Sequence, residues 1–161
     1  MKQHFPESPD QLMPATLLRR FLAMFYDGIL CIALTMTITM IYMSISHAVI
    51  GAEQYKALNE SGATSNDPIL TAVLLSSLFI FFAYFWTRTG QTLGMQVWHI
   101  RIQTPENSPI SWKQALIRFI GAFLSASAFG LGYFWILFDK HGRTWQCILS
   151  NSRVVRIPKR K

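Results

Sequence analysis

One carboxylate in a hydrophobic run has the clearest capacity for chemistry in this chain. Asp27 is the single charged residue between Phe21 and Ser46. An ionised carboxylate at the centre of a membrane helix costs about 2.5–3.5 kcal/mol on insertion scales, so it calls for a partner or a wet cavity. Two roles fit: a proton- or cation-binding carboxylate of a transporter, or half of a structural ion pair. Arg20 shares nearly the same helix face, but about 10 Å away along the axis. Arg118 comes from a different element and can approach sideways, so an Asp27–Arg118 pair is the preferred expectation. Further along that face stand Cys31, Leu34 and Ile38, which are not cation ligands. A separate polar stripe, Thr35, Thr39, Tyr42 and Ser46, lies about a quarter-turn round. Its threonine hydroxyls can bond back to their own helix, which leaves the stripe free to act as a helix–helix contact.

The other candidate motif is Gly90-Gln91-Thr92-Leu93-Gly94. Its glycines permit a tight turn or close backbone approach. The Lys-Ser/Thr end of a phosphate loop is missing, so the segment reads as a helix-to-strand corner at the membrane surface. No nucleophile stands with a base, and no catalytic carboxylate pair or metal-ligand spacing is present. Cys31 and Cys147 belong to different parts of the chain, which argues against a disulfide. His4, His47, His99 and His141 are scattered as ordinary loop or interfacial residues. The expectation is therefore no enzyme, no cofactor and no metal.

The elements that must position these residues are apolar. Half of the 161 residues are hydrophobic and only 14% are charged, against about 25% in an average soluble domain. The net charge of +7 sits beside apolar runs, which suits anionic lipid headgroups better than nucleic acid. Residues 1–18 read as a flexible or surface-lying lead with Pro6, Pro9 and Pro14, too polar and long to begin a signal peptide. Residues 19–157 form one membrane domain, and 158–161 a basic tail. The run Phe21–Ser46 exceeds a hydrocarbon core of about 30 Å, and Ile69–Trp86 makes a second span ending in Tyr84, Phe85 and Trp86. Residues 47–68 read as a polar connection ending in an Asn66-Asp67-Pro68 turn. Val97–Gln103 and Arg153–Ile157 are expected to pair as two short strands, because neither could satisfy its backbone alone. Ser111 with Gln114 reads as a capping box that opens the next helix.

Lys and Arg number three in 1–20, one in 47–68, four in 87–118 and seven in 140–161. A single crossing by 119–138 would put the seven outside, against the positive-inside rule. A re-entrant hairpin hinged near Ser125–Ser127 keeps both termini cytoplasmic; a full third span is the alternative.

Together, Arg20 with Asp27, the Gly90–Gly94 stretch, Arg118 and the closing Phe138-Asp139…Thr144-Trp145-Gln146 segment resemble the RDD family of small bacterial membrane proteins over residues 17–157. The resemblance matches Arg20 to the family arginine and Asp27 to its first aspartate. The second aspartate is expected after Trp145-Gln146, where this chain has Cys147; Asp139 is near but out of place. Loss of that acid weakens any activity that needs both carboxylates.

The expected fold is an all-α membrane protein: two full transmembrane helices, a membrane-embedded re-entrant or third-span segment, and a small cytoplasmic two-stranded β element. The resemblance implies a bacterial inner-membrane protein, with transport of ions or small ligands suggested. The alternative is a non-catalytic scaffold or accessory subunit that binds a partner membrane protein or a second copy. A wet cavity reaching Asp27 would favour transport, and a dry, paired Asp27 the subunit.

Overall fold

A computed structural model describes residues 5–7, 12–62 and 67–158, apart from the side chain of Leu58. The chain is mostly helical and divides into two compact units, one of Met1–Gly28 with Phe81–Lys161 and one of Ile29–Ile80. Two helices are long and apolar enough to cross a membrane, α1 (Leu17–Ile50) and α3 (Pro68–Arg88). Ile29, Ile32, Met36, Met40 and Ile45 of α1 are exposed, an apolar surface far beyond what an aqueous monomer tolerates. Lipid is the solvent that suits it.

In the Ile29–Ile80 unit, residues 47–60 are not the simple polar connection expected. The first helix runs on to Ile50, and after a Gly51 at φ 83° comes α2 (Ala52–Glu60). Asp67 opens α3 by accepting from the amides of Ile69 (2.8 Å) and Leu70 (3.4 Å), with Pro68 at the first helical position where its missing N–H costs nothing. Asn66, expected in this turn, lies outside the described residues.

The larger unit holds α4 (Leu93–Val97), β1 (Ile100–Gln103), α5 (Trp112–Ser127), α6 (Leu131–Phe134) with a 3₁₀ turn at Trp135–Leu137, α7 (Trp145–Leu149) and β2 (Arg153–Arg156). The two strands pair antiparallel, with Ile100 opposite Arg156 and Gln103 opposite Arg153. The expected strand at 97–99 is corrected. Thr92 caps a helical turn through Val97, and His99 at φ 52° reverses the chain before β1 begins. Ile100, Ile102, Val154 and Val155 are buried and form the apolar centre of the sheet.

The N-terminal lead is partly tied down. Pro14 bridges Val155, the amide of Ala15 donates to Val154 O (3.0 Å), and the amide of Arg156 donates to Met13 O (2.9 Å). Asn107 Nδ2 donates to the carbonyls of Phe5 and Glu7, and Arg101 forms a 2.8 Å ion pair with Glu7.

The capping box at Ser111 and Gln114 is formed as expected. Helix α5 continues through Ser127, so the hinge falls later than Ser125–Ser127, at Phe129 (φ 53°) and Gly130 (φ 79°). Two successive left-handed residues break the helix, and the pair of helical pieces is bent by 107°.

Candidate functional site

The intramembrane aspartate and the two arginines occupy two separate centres. On α1 the buried residues are Arg20, Ala23 and Asp27, one face at helical spacing. Asp27 is 4% exposed, and its carboxylate accepts from two donors of the Gly90–Gly94 stretch. One is the Thr92 hydroxyl, to Oδ2; the other is the Gly94 amide, to Oδ1 at 2.9 Å.

The local sequence explains this geometry. Gly90 at φ 71° turns the chain out of α3 and its carbonyl accepts from the Ile102 amide at 2.8 Å, while Gln91 Nε2 reaches Ile100 O at 2.8 Å. The corner is thereby fixed to β1. Thr92 Oγ1 accepts from the Met95 amide as N-cap of α4, while its hydrogen goes to Asp27. Gly94 must lack a side chain: a Cβ there would press on the Ala23 carbonyl and come within 2.9 Å of Asp27 Oδ1. Four of the five residues of the motif, Gly90, Gln91, Thr92 and Gly94, thus act as a clamp that brings donors to a buried carboxylate.

The expected Asp27–arginine pair is not formed. Arg101 is paired with Glu7 and Arg143 with Asp139. Arg20 turns toward the start of its helix, where Nε donates to Ala15 O (3.1 Å) and Nη2 to Gly142 O (2.8 Å) and Val154 O (3.5 Å). Arg118 donates from Nη1 to Ser152 Oγ at 3.0 Å and lies over the Trp86 ring. Arg20 spends its donors on carbonyls near the start of α1 and Arg118 turns to Ser152, while neutral donors serve both oxygens of Asp27.

The arginines instead converge on Cys147. Arg118 Nη1 lies 3.3 Å and Arg20 Nη1 3.9 Å from its Sγ, and Thr144 Oγ1 donates to it at 3.2 Å. Arg20, Arg118 and Cys147 are respectively 6%, 5% and 1% exposed. Burial pushes the Cys147 thiol up, but the Arg118 and Arg20 guanidiniums and the Thr144 hydrogen bonds outweigh it and hold the thiol at about 7. Asp139, the nearest acid in sequence, is held by Arg143 at 3.2 Å, and that pair depresses its carboxyl below the usual range.

The long apolar helices, the bent helical pair and these paired polar centres define an integral membrane protein. Residues 14–151 match the RDD family, and the chain belongs to that family. Comparisons with curated proteins and with solved structures gave no match. Cys147, directly after Trp145-Gln146, lies between Arg20 and Arg118.

Sequence reasoning named Arg20, Asp27, Arg118, Gly90, Gln91, Thr92 and Gly94; the structure brings Thr92 and Gly94 to Asp27, fixes Gly90 and Gln91 to β1, and gathers Arg20 and Arg118 at Cys147 instead of Asp27. It missed that Thr92 and Gly94 serve Asp27. The signal available was the pair of a buried acid without a nearby cation and a Thr-x-Gly turn able to offer a hydroxyl and an amide. Among the described residues no group of three or more His, Cys, Asp or Glu could hold a metal.

Proposed function

We propose that this RDD-family chain is a non-catalytic membrane subunit, whose charged motif residues hold its own fold together while its spans pair with other transmembrane helices. The observation that carries this is the closed shell around Asp27: a buried carboxylate that already accepts from Thr92 and Gly94 is satisfied without an ion. The exposed apolar faces of α1 and α3 support the second half, because helices association in lipid works through such surfaces. The partner is a second copy or another membrane protein. The positive-inside distribution of Lys and Arg supports a bacterial inner-membrane location, with both termini and the small sheet cytoplasmic.

A second reading, transport of ions or small ligands, is favoured by one feature of the Ile29–Ile80 unit. A cavity of about 330 Å³ there is lined by Tyr42, Ser46 and Asp67. Tyr42 donates a 2.5 Å hydrogen bond to Asp67, so one member of the polar stripe meets an acid while Ser46 lines the same cavity. Thr35, by contrast, bonds back to Cys31 O and Ile32 O of its own helix.

Cation flux through vesicles reconstituted with the full chain distinguishes the two. For a subunit, flux of Na⁺, K⁺ and H⁺ equals that of empty vesicles, and Asp27→Asn changes only folded yield. A flux that a well-folded Asp27→Asn or Asp67→Asn variant abolishes would establish transport.

A further inference from the structure

In the larger unit a cavity of about 450 Å³ lies against the Cys147 centre. Cys147 is in its wall, as are Gly142 and Val154, whose carbonyls Arg20 holds. Its charged lining is wholly basic among the described residues: Lys140, Arg143 and Arg153, joined by His141. Asp139 compensates Arg143 from outside the wall. Among the described residues no carboxylate pairs with Arg153. Its Nε and Nη2 are buried with no hydrogen-bond partner.

We propose that this cavity is a binding site for a phosphate group, with Lys140, Arg143 and Arg153 as its charged lining and His141 beside them. Phosphate suits the site better than carboxylate for two reasons. Several cations around one cavity match an anion with more than two oxygens and more than one charge. The volume also exceeds that of a bare anion and falls in the range of organic ligand sites, about 300–1,000 Å³. The apolar wall of Leu12, Pro14 and Ile148 can accept the carbon body that carries the phosphate. That body is either the glycerol end of an anionic phospholipid or a soluble phosphorylated compound. The site does not depend on whether the chain is a subunit or a transporter, since it uses neither Asp27 nor Asp67.

The test uses the full chain in neutral detergent and in nanodiscs. Inorganic phosphate is titrated in detergent, with chloride at matched ionic strength as control, and thermal stability is read. Nanodiscs of phosphatidylcholine are compared with nanodiscs containing phosphatidylglycerol. The variants are Lys140→Gln and Arg153→Gln, and Lys140→Gln, a change in a surface turn, keeps the test valid if the strand variant folds poorly. A phosphate-specific rise in thermal midpoint is expected, with apparent affinity roughly 10- to 100-fold weaker when one charged donor is removed. Protection by phosphate in detergent assigns a soluble ligand; protection by phosphatidylglycerol alone assigns a lipid headgroup. Either supports the site. Equal protection by chloride, no protection in either arm, or protection unchanged in both variants would overturn it.

Discussion

A methyl group placed at Gly94 should break the clamp on Asp27, and the size of the effect can be worked from the contacts. In Gly94→Ala the new Cβ meets the Ala23 carbonyl, which is backbone and cannot swing aside, and lies within 2.9 Å of Asp27 Oδ1. Overpacking of this kind costs about 1–3 kcal/mol. Relieving it by moving α4 lengthens the amide bond to Oδ1, and a hydrogen bond to a charged group contributes about 1.5–3 kcal/mol. The two penalties overlap, so a net loss of about 2–5 kcal/mol is expected. Gly28→Ala is the control, because a Cβ there meets nothing within 4 Å in the middle of α1. The same chemical change should then gain up to about 1 kcal/mol from helix propensity. Unfolding of the purified protein by an increasing fraction of denaturing detergent, followed by tryptophan fluorescence, reads both. Equal effects of the two substitutions, or a Gly94→Ala variant as stable as the parent, would refute the clamp.

Four further outcomes are expected. Cys147→Ala should cost about 3–5 kcal/mol by leaving two buried guanidiniums without their shared acceptor, and Cys147→Asp should recover most of that in the same unfolding assay. Because the thiol is lowered to about 7, the thiolate's contribution is complete above the ordinary thiol range and is lost as pH falls through about 7; the Cys147→Asp variant should keep its stability through that window, and a parent stability flat from about pH 6 to about pH 9 would contradict the arginine–thiolate contact. Asn107→Ala removes both hydrogen bonds to the Phe5 and Glu7 carbonyls, so limited proteolysis should cut the N-terminal segment faster while α5 stays protected. A membrane-impermeant thiol reagent applied to intact cells should label Ser61→Cys and leave Lys159→Cys unlabelled, and the reverse pattern would contradict the proposed orientation.

The helices were legible because their signals are local. Apolar length marked α1 and α3, and the Ser111–Gln114 spacing marked the start of α5. The strand pairing was legible from composition, although Val97 belongs to a helical turn because the Thr92 cap outweighs its β-branched side chain. The partners of the charged residues were not legible. A charge-based search for Asp27 leads to arginines, whereas the donors are a hydroxyl and a backbone amide 65 and 67 positions along the chain. Backbone donors carry no residue signature, so their use shows only in three dimensions. Cys147 stood out in sequence as the departure from the expected aspartate, but its place between Arg20 and Arg118 required the packing of α7.

The most direct test of the separate Asp27 and arginine centres is a pair of double-mutant cycles on stability, Asp27→Asn with Thr92→Val and Asp27→Asn with Arg118→Gln. Residues in one hydrogen-bonded group couple by about 0.5–3 kcal/mol, whereas separated sites add within about 0.5 kcal/mol. With Asp27 held by Thr92 and Arg118 held at Cys147, the first cycle should show coupling and the second should be additive. Coupling between Asp27 and Arg118 with none between Asp27 and Thr92 would contradict the clamp and restore the ion pair.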